Sequence, residues 1–141
     1  MPDPMTAVTR LRHLAVDEAM RALSACVTAE TEAASALATL EAAIKAETEA
    51  AEAAGTDDLA VEAFGRWLRQ ATAQRTALEA ALVRAETQSA EARAVLASSR
   101  AEARAVDELR ARQAADRQTE AARREQAVLD EAGTAKWMTE R

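Results

Sequence analysis

The chain has 141 residues, a net charge of −6, 30% charged residues and only 2% aromatics, with no Tyr. Hydrophobic residues reach 49%, but more than half of them are alanine, and one buried methyl is worth only ~0.8 kcal/mol. A thick globular core is therefore excluded, whereas a narrow seam between closely apposed helices is not. The arginines are interleaved with acids in nearly every turn, so there is no basic footprint for nucleic acid. Cys26 and His13 each stand alone, which leaves no disulfide framework and no metal site within one chain. No apolar run suits a signal peptide or a membrane span, and a soluble cytoplasmic protein without direct membrane insertion is expected.

Helix breakers are confined to a few places. Pro2 and Pro4 lie in the first four residues, and the three glycines fall at 55, 65 and 133. Ala, Leu, Glu, Arg and Gln, all strong helix formers, supply most of what lies between. Pro4 suits the first helical turn, and a first helix is predicted from about 5 to 54. Its seam reads Val16, Ala19, Leu23, Cys26, Glu30, Ala33, Leu37, Leu40 and Ile44. The spacing alternates three and four, the heptad pattern of a coiled coil, with Glu30 as an interruption.

The run "EAAGTDDLA" carries the one convincing turn signal, predicted at 55–57. Gly55 suits the left-handed conformation that follows a helix end. Thr56 or Asp57 can cap the next helix, and Asp57 and Asp58 complement its N-terminal dipole. The second helix is predicted from about 57 to 132, with a flexible tail over 133–141. Its seam reads Phe64, Leu68, Ala71, Arg75, Leu78, Leu82, Ala85, Ser89, Ala92, Leu96, Ser99, Ala103 and Val106 without a slip. Small residues at many of these positions permit close axial approach.

Residues 1–55 hold four Lys/Arg against nine Asp/Glu, and residues 56–141 hold 14 against 15. An acidic first half and a near-neutral second half attract each other along their flanks. The fold class is accordingly all-α: a long antiparallel two-helix coiled-coil hairpin, treated as one domain over 1–141, with the second helix extending beyond the first. At ~1.5 Å per residue the helices are ~75 Å and ~115 Å long, leaving an overhang of roughly 25 residues from about Glu108 to Ala132. That stretch is polar nearly all round. Asp116, Arg117, Glu120 and Arg124 can pair at helical spacing, but each pair contributes only ~0.2–0.5 kcal/mol, so the overhang should fray unless something binds it.

No glycine-rich phosphate loop and no constellation of carboxylates, Cys or His points to catalysis, a cofactor or a metal, and a two-helix hairpin offers little concavity for a pocket. Two surfaces remain. In "FGRWLRQ", Phe64 and Leu68 lie on the seam with Trp67 beside it; Trp67 either folds over the end of the hairpin or anchors a partner. The charged overhang is either a solvated tail or a helix that enters a hole or groove on another protein. Cys26 reads as a small core residue, His13 as a solvated side chain and Trp137 as a tail residue.

These residues resemble a known family. "RREQAVLDEAG", from Arg123 to Gly133, is similar to the closing motif of the FliJ family of flagellar export proteins, Arg-x-(Glu/Asp)-Gln-x-x-(Leu/Met)-Asp-Glu, with Arg123, Glu125, Gln126, Leu129, Asp130 and Glu131 matching. "AVDELRARQAADRQTEAARRE" resembles the Arg-rich run that precedes that motif, and "FGRWLRQ" resembles an aromatic-containing element early in the family's second helix. The resemblance implies a non-enzymatic stalk of flagellar type III protein export, serving flagellum biogenesis and motility. Its implied partners are the flagellar export ATPase, an export-gate membrane protein and export chaperones, with peripheral attachment to the membrane export apparatus. It also implies that Arg117, Arg123, Arg124, Glu125, Gln126, Asp130 and Glu131 meet the ATPase ring, and that Phe64, Trp67, Leu68 and Ala71 face the export gate. Ala71 stands where a larger apolar residue is the family's habit. A self-associating structural scaffold and a stalk of a virulence-type secretion system are the alternatives.

Overall fold

A computed structural model describes residues 3–55 and 57–141. It contains helix α1 (Pro4–Ala53, 50 residues) and helix α2 (Asp58–Thr139, 82 residues). The two pack against each other as a helical hairpin with the second helix the longer. Asp3 starts α1: its carboxylate accepts the Met5 N–H at 3.0 Å and its carbonyl accepts the Thr6 N–H at 3.0 Å. Pro4 takes the first helical position, where its missing N–H costs nothing. Gly55 closes the helix with φ +79°, a conformation that a Cβ would strain. Asp57 caps α2, accepting the Leu59 N–H on Oδ1 at 3.3 Å and the Val61 N–H on its carbonyl at 2.9 Å. The other capping candidate, Thr56, lies outside the described residues.

The second helix does not stop at Ala132. It continues through Gly133 to Thr139, so most of the segment read from sequence as a flexible tail, 133–141, is helical. Glycine in a helix interior costs up to ~1 kcal/mol relative to alanine, a penalty that discourages but does not terminate. No proline follows to force an end. The Thr139 hydroxyl donates back to the carbonyls of Ala135 (3.1 Å) and Lys136 (2.9 Å), and the Arg141 guanidinium sits 4.3 Å over the Trp137 ring.

Contact density separates the chain, read from sequence as one domain, into two units: Asp17–Ser98, and Met1–Val16 with Ser99–Arg141. Within Asp17–Ser98, every seam residue expected on α1 from Ala19 to Ile44 is buried or half-buried, and the protected stripe continues through Thr48 and Ala51. On α2 the same holds from Phe64 to Leu96 except at Arg75. Arg75 instead carries its guanidinium to the flank, 3.1 Å from Glu79 and 3.6 Å from Glu41 across the seam. A long apolar stem lets the charge reach water while the chain position stays on the seam.

The Glu41–Arg75 contact marks the register of this unit. Counting outward from it in steps of three and four pairs Ala51 with Phe64, Ile44 with Ala71, Leu37 with Leu78, Ala33 with Leu82, Leu23 with Ala92 and Ala19 with Leu96. Ala51 and Phe64 line one cleft, as the register requires. Most layers set a large side chain on one helix against a small one on the other. Such layers fill the gap without forcing the helices apart, which is how an alanine-rich interface reaches tight packing.

In the other unit, Thr9 and Ala103 are buried and Met5, Val16, Ser99 and Val106 half-buried. Arg12 pairs with Glu102, and His13 Nε2 lies 3.3 Å from Asp107. Gln113 and Ala114 are the last half-buried residues; from Ala115 to Arg141 every residue is exposed. The unpaired stretch thus begins later than the Glu108 expected from helix lengths. Side chains on α1 lean toward their own N-terminus and extend its cover by about a turn.

Candidate partner-binding surfaces

The first surface lies beside the turn. Phe64 and Trp67, three residues apart on α2, face the same way, and their rings stack with centroids 6.1 Å apart at 26°. With Ala50, Ala51, Ala54 and Val61 they line an open cleft of about 470 Å³. Trp67 also lines a smaller cleft with Leu40 and Ala71, and its side chain is half-buried. Of the four residues expected to face a partner here, Phe64, Trp67 and Leu68 are half-buried, and Ala71 is 4% exposed. Ala71 has almost no surface to offer a partner. Its burial against α1 lets α2 come close enough for Trp67 to cover the seam.

Two residues at this end escaped the sequence reading. Leu59 and Val61, in the first turn of α2, are both exposed. Leu59 lies out of phase with the seam, whereas Val61, three residues before Phe64, is in phase with it but precedes the first residue assigned to the stripe. Together with the cleft they extend an apolar patch around the start of the helix.

The second surface is the solvent-exposed end of α2. Arg117, Arg123, Arg124, Glu125, Gln126, Asp130 and Glu131 are all exposed. The cause is visible in the heptad count. Beyond Val106 the seam positions become Arg110, Gln113, Arg117, Glu120, Arg124, Ala127 and Glu131, so the stripe that zips the hairpin turns charged. Contacts along this stretch are local: Arg124 Nε donates to Glu120 Oε1 at 3.3 Å, and Gln126 Nε2 donates to Asp130 Oδ1 at 2.9 Å. Both are one-turn pairs of the kind that stabilise a single helix weakly. Val128 (64% exposed) and Leu129 (66%) stand bare among these charges, as do Trp137 and Met138 near the C-terminus. Val128, Trp137 and Met138 were not singled out as contact residues by the sequence; a lone apolar side chain among charges has no periodic signal.

Among the described residues no group of three or more His, Cys, Asp or Glu is placed to hold a metal ion, and no described helix is long and apolar enough to cross a membrane. The described residues present two distinct surfaces, one apolar and partly recessed, one charged and fully open. No curated protein and no solved structure gives a significant match to the chain. A family model described as flagellar FliJ protein matches residues 1–141, the whole of it.

Proposed function

The chain belongs to the flagellar FliJ family, a family of flagellar export components, and from that premise we propose that it is a non-enzymatic stalk whose charged α2 end docks in the ring of the flagellar export ATPase. There it promotes ring assembly, and it links the ring to the export gate and to export chaperones. It works in the cytoplasm, peripherally attached to the membrane export apparatus. The observation that carries this reading is the family match over the full chain, supported by an α2 end that is exposed from Ala115 onward.

The chemistry of that end suits a ring lumen. Exposed ion pairs each contribute ~0–1 kcal/mol. A contact surface made of many such terms, from Arg117 to Glu131, holds a helix without committing it to one angular position. A continuous apolar stripe would fix one seat. On the same reading the Phe64, Trp67 and Leu68 surface meets the gate, with Ala71 beneath it as a spacer and Leu59 and Val61 widening the contact.

The test is to mix the protein with its cognate export ATPase and follow ring formation and ATP turnover. Both should rise. Replacing Arg123, Arg124 and Gln126 together with alanine should abolish most of the stimulation while leaving helicity unchanged. Unaltered turnover and assembly on mixing with the native chain would count against the stalk. At the apolar end, Leu59→Ser should weaken binding to the gate component at a cost in stability within ~0.5 kcal/mol, since Leu59 is exposed. A monomer in sedimentation separates the hairpin from a self-associating scaffold.

A further inference from the structure

The seam of Asp17–Ser98 has one place unlike the rest. Ser89 is the most enclosed side chain among the described residues, at 0% exposure, and its hydroxyl has no hydrogen-bond partner. Glu30 has a buried carboxylate oxygen, Oε2, likewise without a partner. Six threonine hydroxyls on these helices are satisfied locally: Thr28, Thr31, Thr48, Thr72, Thr76 and Thr87 each donate to the carbonyl four residues back. Ser89 does not.

The register brings these two exceptions together. Counted from the Glu41–Arg75 contact, Glu30 stands opposite Ala85 and Ser89 opposite Cys26, in consecutive layers. Neither layer contains a large apolar side chain. Their neighbours do: Ala33 with Leu82 and Leu37 with Leu78 on one side, Leu23 with Ala92 and Ala19 with Leu96 on the other. The weakest hydrophobic contact thus coincides with both unsatisfied polar atoms. Opening the helices there exposes the least apolar area and returns the Glu30 carboxylate and the Ser89 hydroxyl to water, where they regain hydrogen bonds.

We propose that the two layers Cys26–Ser89 and Glu30–Ala85 form a built-in opening point, at which α1 and α2 separate locally before the seam on either side of it does. Local opening of low-stability stretches is general in folded proteins; here its position is set by two polar side chains in an otherwise large-against-small interface.

Native-state amide hydrogen exchange on the full chain reads this directly. Amides in 24–32 and 83–91 should exchange several-fold faster than those in 35–44 and 71–80. The double variant Glu30→Leu with Ser89→Ala gives the first layer the large-against-small pairing of its neighbours and removes the enclosed hydroxyl from the second. It should fold, melt at a higher temperature and lose the difference in exchange. Uniform protection across the four segments of the native chain overturns the proposal. So does a variant that is stabilised overall yet keeps the same fast exchange at 24–32 and 83–91, because the polar side chains would then not be its cause.

Discussion

The seam of Asp17–Ser98 and the stretch from Ala115 to Thr139 are both helical, yet only the first is packed. In the seam, positions three and four apart are mostly Leu, Ala, Ile and Phe, with Cys26, Glu30, Arg75 and Ser89 as the exceptions. In the distal stretch the same phase is occupied by Arg117, Glu120, Arg124 and Glu131. The contrast teaches that helix formation and hairpin formation are separable properties of this chain. Backbone propensity carries α2 to Thr139, and burial of a stripe decides how far it has a partner.

Truncating a leucine in each region gives the widest separation. Leu96 is 7% exposed, and Leu96→Ala should cost ~2–3 kcal/mol, the lower part of the range for buried leucines, because a narrow seam can partly collapse. Leu129→Ala should change stability by less than ~0.5 kcal/mol. Thermal melts followed by circular dichroism measure both; equal losses would erase the distinction drawn here.

The glycines sharpen it with opposite signs. Gly55 has a positive φ, so Gly55→Ala should destabilise by about 1 kcal/mol even though nothing lies within 4 Å of the added methyl. Gly133 sits in a helix with the same open surroundings. Gly133→Ala should raise helix content near the C-terminus by up to ~1 kcal/mol of local propensity, with the main melting transition unmoved. Smallest of all, Arg75→Ala and Arg124→Ala each remove exposed ion pairs and should cost no more than ~1 kcal/mol. Arg75→Ala should be the larger, since the Arg75 stem also lies along the seam.

Much of this was legible in the chain itself. The stripes from Val16 to Ile44 and from Phe64 to Val106 follow from the heptad spacing, and the turn follows from Gly55 and Asp57. Arg75 was placed in the seam because periodicity registers a position and ignores where a flexible guanidinium ends. The helix beyond Ala132 was not legible: glycine after a polar helix is equally a terminator and a tolerated interior residue, and only the backbone decides. The enclosure of Ala71 was hidden for a related reason, since its position on the seam implied nothing about how tightly α1 would cover it. Leu59 was missed because a residue outside the repeat leaves no periodic trace, and Val61 because the stripe was begun one step late, at Phe64.

The alternation of bulk across the seam has an evolutionary consequence. An alanine such as Ala19 is a reserved space for the leucine facing it, so neither helix can be rewritten alone. Substitutions that enlarge one strand of this zipper are tolerated only where the opposing residue shrinks. Lineages should therefore exchange Ala–Leu for Leu–Ala as matched pairs, and such swaps, read along the two helices, would report the alignment of the hairpin without any structure in hand.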